Sequence, residues 1–219
     1  MSATIQAAIA SLPFLWHGLY VTVEISLIVV ALSLLVGILL GVILVYGPAP
    51  ARLAIRLFSD LIRGIPILVL IFFVYYGLPA TGLNLDNFVA AILALTMFST
   101  AQVVEIARGA LQSVHHGQME AGKAVGLRFE QRLAHVIFPQ AVRRFLPPWI
   151  NSVADAVKGS ALVSLVGVVD LMQAIQQVIG RTYAPLPLYI LGALIYFAIN
   201  YALSSLSRML EARYAYIRE

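Results

Sequence analysis

Cysteine is absent from the 219 residues, and only 11% of them are charged. The first absence excludes disulfide scaffolds, thiol nucleophiles and cysteine metal sites. The second excludes most soluble domains, which carry about a quarter of their residues charged to keep a wet surface. With 61% hydrophobic residues and a mean hydropathy of +0.93, such a surface cannot be covered. The chain reads as an all-α membrane protein whose outer face meets lipid. Residues 1–20 hold no Lys or Arg, so the basic start of a cleavable signal peptide is missing and the first span is expected to act as the targeting signal. Linker-like stretches and internal repeats are also missing, which predicts one domain over residues 1–219.

Charge-poor runs place the crossings, since a span needs about 20 apolar residues. Five are expected, over about residues 21–46, 53–77, 87–110, 145–169 and 186–207. The connections after spans one, three and five contain 11 of the 14 basic residues, whereas the opposite side has only Arg181. Short basic loops stay cytoplasmic, so the amino terminus is expected outside and the carboxyl terminus inside. The net charge of +4 therefore reports topology, and nucleic-acid binding is not expected.

One polar segment, about residues 112–135, is long enough to form a partner surface. Two short helices fit it. The first is expected to start after Gly117 and to stop at Gly126, since glycine tolerates the positive φ of a helix end. Glu120, Ala121 and Ala124 are acidic or small and allow close approach by another protein, while Met119 and Val125 offer apolar contact.

Glu120-Ala121-Gly122, with Gly126 and Ile137-Phe138-Pro139, resembles the EAA loop of membrane subunits of binding-protein-dependent ABC importers. Gly18 to Ser26, Ile62-Arg63-Gly64-Ile65-Pro66, Glu105 to Gly109, Gly117-Gln118 and Pro139-Gln140-Ala141 extend the resemblance to the polar amino-acid permease branch, over about residues 14–214. The resemblance implies a type I importer permease fold with five transmembrane helices in a bacterial cytoplasmic membrane. The loop would be a coupling helix, with Gly117, Glu120, Ala121, Gly122 and Gly126 docking on an ATPase. Implied partners are two ATPase subunits carrying ATP and Mg, a second permease subunit of the same or a paralogous chain, and an extracytoplasmic substrate-binding protein. This chain would bind no cofactor of its own. Two departures stand out: Gly122 replaces the commoner alanine, and Lys158-Gly159-Ser160-Ala161-Leu162 stands where the family has Lys-Asp-Thr/Ser-Ser-Leu.

Ionisable groups at membrane depth are costly and usually face a cavity, which singles out Glu24, Asp155 and Lys158. Asp155 and Lys158 are three apart and either neutralise each other or meet the amino and carboxylate groups of a passing amino acid. Glu24 is either interfacial or lines an outer vestibule, with Thr22 and Ser26 on its face. The resemblance implies by position that Thr22, Ser99 and Gln102 line the substrate path; the alternative for each is a hydroxyl or amide joining helix to helix. Arg63, Gly64 and Pro66 form a gate or an ordinary kink in span two, where Pro66 removes an N–H. His115 and His116 are adjacent, a poor metal spacing, so no metal site is expected.

No Gly-x-x-x-x-Gly-Lys-Ser/Thr loop is present, so the chain is not expected to hydrolyse ATP or to be an enzyme. Energy would come from a separate subunit, driving alternating access. The alternatives are an ion-coupled carrier using Asp155 and Glu24, which usually shows two related halves, a membrane-embedded enzyme, for which no paired nucleophile and base is evident, and a non-transporting assembly subunit.

Overall fold

The computed structural model describes residues 11–214. Among these, helices and their connections account for the whole architecture. The first, α1 (Leu12–Tyr46), is 35 residues long, about 50 Å at 1.5 Å per residue. Its small residues Gly18, Thr22, Ser33, Gly37 and Gly41 recur at helical spacing and are buried, while Trp16, Tyr20, Leu27, Leu35 and Leu39 point outward. This inverts the pattern of a soluble helix. In lipid, packing gains come from close backbone approach rather than from hiding large apolar side chains.

The small face of α1 lies on α4 (Asn87–Gln112). A β-carbon on Gly37 would come within 2.6 Å of Val103, and one on Gly41 within 2.6 Å of Ala107. Asp86 caps α4, its side chain accepting from the Phe88 N–H at 3.1 Å.

Between them, α2 (Ala49–Gly64) is bent by 105° relative to the segment Ile67–Thr81, which opens with α3 (Ile67–Phe72). The sequence predicts a single kinked span over 53–77; the structure breaks it. Ile65, preceding a proline, is extended at φ −94° and ψ 131°, and Pro66 has no N–H with which to continue the helix. The separated α2 is amphipathic, with Ile55, Ser59 and Ile62 buried and Leu53, Leu57 and Leu61 exposed.

After α4 come α5 (His116–Ala124), α6 (Phe129–Arg132) and α7 (Phe138–Ser160), then α8 (Leu171–Thr182) and α9 (Pro185–Tyr214). The expected fourth span, 145–169, differs in extent: α7 begins upstream, and the stretch Phe129–Val166 bends by 50° into α8. A 3-10 turn over Ala161–Val166 and Gly167 make the corner. The two π-helical segments, Phe73–Gly77 and Leu133–Ile137, each end two residues before a proline, Pro79 and Pro139. Widening the helix there relieves the clash of the proline ring with the carbonyl four residues back.

By length and composition, α1, α4 and α9 can cross a membrane unbroken, and the two bent pairs bring the possible crossings to five. The bundle has two distinguishable ends. At one, Arg181 of α8 lies over the Phe14 ring at the start of α1. At the other, Arg144 donates to the Ser113 carbonyl where α4 gives way to α5.

Candidate functional site

The polar segment builds a short helix on a firm base. His115 caps α5, its Nδ1 accepting from the Gly117 N–H at 3.1 Å, and this is the structural role of one of the two adjacent histidines. His116 reaches Glu120 one turn on at 3.3 Å. Gly126 has φ +81°, and its N–H and that of Leu127 bond back to the carbonyls of Lys123 and Gly122 at 3.0 Å, closing the helix C-terminus. The helix thus begins at His116, one residue before Gly117, and its last turn closes on Gly126.

Two faces of α5 differ sharply. Met119 packs on the cluster of Leu111, Val114, Ile137 and Ala141. Gly122 is buried under the stem of Arg132. Both therefore hold the helix to the bundle, which corrects the expectation that Met119 is part of the outward contact surface. Glu120, Ala121, Ala124 and Val125 are exposed. The outward face combines one acid, two small residues and one apolar side chain, Val125, at 77% exposure.

Close to this end of α4, Glu105 accepts from Arg108 at 2.7 Å, Arg108 also donates to Gln112 at 2.8 Å, and Arg63 lies 3.9 Å from Glu105. The residue beside the 105° break is thereby tied to α4.

The membrane-depth residues do not converge. Asp155 and Lys158 pair at 2.7 Å along α7, with side chains 58% and 59% exposed. Glu24 is half-buried on α1, Ser99 is buried on α4, and Gln102 is half-buried a turn further on. No hydrogen bond or ion pair connects these three places among the described residues. Thr22 is fully buried, and its Oγ1 accepts from the Leu171 N–H at 3.0 Å, so it joins α1 to α8. A groove of about 410 Å³ between α1, α7 and α9 passes Thr22 and Ser26 but is otherwise apolar. It offers a polar solute only hydroxyls already engaged with the backbone, since Ser26 donates to the Thr22 carbonyl at 2.7 Å.

The sequence reading passed over Asp170. This carboxylate is fully buried and caps α8, accepting from the Gln173 N–H at 2.9 Å and from the Tyr196 hydroxyl at 3.4 Å. It sits against Gly18, whose missing side chain lets α1 touch the Asp170 carbonyl. An acidic residue immediately before an apolar helical run was the available signal. Among the described residues no group of three or more His, Asp or Glu side chains forms a metal site.

A bundle of straight and bent apolar helices, carrying one anchored polar helix at one end, defines a polytopic membrane protein with a short exposed polar helix. Residues 33–216 match the family described as binding-protein-dependent transport system inner membrane component. The chain belongs to that family and is a permease subunit of an ABC importer. It is similar to the probable glutamine ABC transporter permease protein GlnP of Bacillus subtilis, with 36% identity over 206 residues, 92% of this chain and 94% of that one. With the glutamine transport system permease protein GlnP of Escherichia coli it shares 35% identity over 205 residues, covering 93% and 94%. The crystal structure of an amino acid ABC transporter with histidines superposes with a TM-score of 0.87 at 31% identity, covering 95% of this chain and 97% of that one. An inward-facing MetNI methionine ABC transporter, at 21% identity and a TM-score of 0.70 over 90% of this chain and 96% of that one, shares the fold. The ion-coupled carrier considered from sequence finds no support in these likenesses.

Proposed function

We propose that this permease moves a polar amino acid into the bacterial cytoplasm by alternating access, receiving it from an extracytoplasmic binding protein. Two ATPase subunits bind ATP and Mg and dock on α5, and a second permease, identical or paralogous, completes the pathway. The amino terminus is outside and the end bearing α5 is cytoplasmic. The observation that carries the reading is the two-faced α5: Met119 and Gly122 hold it to the bundle, leaving Glu120, Ala121 and Ala124 free for a partner. Gly117 and Gly126 set its two ends. A rigid attachment is what lets ATPase closure move the permease instead of bending a loop.

The chain supplies no catalytic residue or cofactor in this scheme. Glu24, Ser99, Gln102, Asp155 and Lys158 meet the substrate path once two permeases are assembled, whereas Thr22 serves the α1–α8 joint. Arg63, Gly64 and Pro66 form a hinge whose position Glu105 holds. The glutamine and amino acid relatives support the substrate class.

Reconstitution with the binding protein and ATPase in proteoliposomes tests this. Labelled glutamine and other polar amino acids should accumulate only with ATP inside the compartment facing the ATPase. Glu120→Arg should abolish uptake and release the ATPase in native mass spectrometry. Uptake driven by an ion gradient without ATP would overturn the reading.

A further inference from the structure

We propose that the junction of α1, α2 and α4 is a binding site for an anionic phospholipid, gripped at its phosphate by Arg52 and Arg56. Leu44, Val45, Arg52, Leu53, Arg56 and Gln112 line a cleft of about 370 Å³ there. Arg52 and Arg56 are four residues apart and so lie on the same side of α2. Both are exposed, and among the described residues neither has a carboxylate within ion-pair distance. This sets them apart from Arg63 and Arg108, which share Glu105. Arg108 also fixes the third polar group, because it donates to the Gln112 amide oxygen at 2.8 Å and leaves the amide NH₂ to donate elsewhere. The cleft lining therefore offers donors and no carboxylate, the nearest acid on α2 being Asp60 one turn beyond Arg56 and paired electrostatically with Arg108, and this donor set matches the oxygens of a phosphodiester.

The remaining surroundings select a lipid as the source of that phosphate. Leu53, Leu57 and Leu61 form an exposed apolar stripe beside the arginines. The 105° break turns α2 away from the line of the following membrane segment. A helix with an apolar stripe and adjacent cations, set across the membrane direction, is built to lie at the head-group boundary with its leucines among acyl chains. Leu44 and Val45, at the end of the longest apolar helix, continue that boundary into the cleft. Basic pockets between membrane helices hold anionic head groups in this way. The site stands on membrane insertion alone; its assignment to the cytoplasmic leaflet rests on the orientation proposed above.

The full-length chain, with whatever subunits co-purify, is titrated with phosphatidylglycerol or phosphatidylcholine in detergent and read by native mass spectrometry. The wild type should retain phosphatidylglycerol in preference to phosphatidylcholine. Arg52→Gln with Arg56→Gln should weaken phosphatidylglycerol retention by about tenfold or more, or about 1.4 kcal/mol. Arg128→Gln with Arg143→Gln, an equal change in charge at exposed positions outside the cleft, should have little effect. Arg52→Lys with Arg56→Lys should fall between, keeping charge but losing the guanidinium fork. Undiminished retention in the first pair overturns the proposal, as does an equal loss in the control pair. Displacement of the lipid by excess inorganic phosphate would make this a free-anion site instead. Loss of a co-purifying subunit with lipid retention unchanged would make it a protein contact. Transport is not measured, so a failure here leaves the transport reading to its own test.

Discussion

Gly122 and Arg132 are packed so closely that a β-carbon on the glycine would lie 2.9 Å from the Arg132 Cγ. The contact clamps α5 to the segment leading into α7, and it gives the glycine of the Glu120-Ala121-Gly122 signature a packing reason. Alanine at this position gains up to about 1 kcal/mol of helix propensity but requires the arginine stem to shift. That stem is flexible and half-exposed, so Gly122→Ala should retain ATP-driven uptake and change stability by no more than about 1 kcal/mol. Gly122→Leu cannot be absorbed by so small a movement. It should uncouple ATP hydrolysis from uptake while the chain still inserts and assembles. Full uptake by the leucine variant would show that the clamp plays no part in coupling.

Gly18 faces a backbone that cannot move aside. A β-carbon there would stand 2.8 Å from the Asp170 carbonyl oxygen and 2.8 Å from the Ala174 β-carbon. Overpacking of this kind costs about 1–3 kcal/mol, and Gly18→Ala should lower the thermal midpoint in detergent accordingly. Gly180, on α8 with nothing within 4 Å, is the control. Its replacement by alanine should leave the midpoint unchanged or raise it, by up to about 1 kcal/mol of helix propensity. Equal effects at both sites would mean that the α1–α8 joint contributes nothing to stability.

How much of this was legible in the sequence depended on whether the signal was local. Apolar runs located α1, α4 and α9 because membrane insertion is a sum over consecutive residues. Gly126 was readable as a helix end because positive φ is a property of the residue itself. The break at Pro66 was visible too, but its 105° size was not, since a proline removes a hydrogen bond without fixing where the chain goes next. Met119 could not be oriented from its spacing, because an amphipathic stripe does not say which of its neighbours is the bundle. Asp170 is the clearest loss. Its burial follows from Gly18 on α1, which packs on the Asp170 backbone, and from Tyr196 on α9, which donates to its carboxylate, while Thr22 takes the N–H of the neighbouring Leu171 from 149 residues away. No window of sequence contains all three.

Glu105 is the shared anion of two arginines at unequal distances, 2.7 Å from Arg108 and 3.9 Å from Arg63. These pairs are partly exposed, so screening limits each to about 1 kcal/mol or less. Glu105→Gln should lower stability by about that amount at low salt, and the loss should shrink as ionic strength rises. Arg63→Gln should cost less, in keeping with the longer distance, yet it frees the segment at the 105° break. Spin labels on α2 and α3 should then report a broader distance distribution than in the wild type. A distribution unchanged in width would separate Arg63 from any role in holding the bend.

Asp155 and Lys158 pose the sharpest functional question, since their 2.7 Å pair can be complete in itself or can be opened by a substrate. With both side chains more than half exposed, and so open to water wherever they face the substrate path of the assembled permease, the pair contributes at most about 1 kcal/mol there, and Asp155→Asn should leave the thermal midpoint nearly unchanged. Stability therefore does not confound transport. If the carboxylate meets the substrate's amino group, Asp155→Asn raises the KM for uptake, and more for a cationic amino acid than for glutamine, while the ATPase rate without substrate stays the same. A tenfold difference between the two substrates corresponds to about 1.4 kcal/mol of lost attraction, within reach of one charge in a partly hydrated cavity. Lys158→Met separates the roles further: removing a partner that only neutralises Asp155 should strengthen binding of the cationic substrate, because the freed carboxylate then has no other counterion. Equal, substrate-independent effects of the two substitutions would leave the pair as a structural device of α7 and return the search for the substrate contact to Ser99 and Gln102.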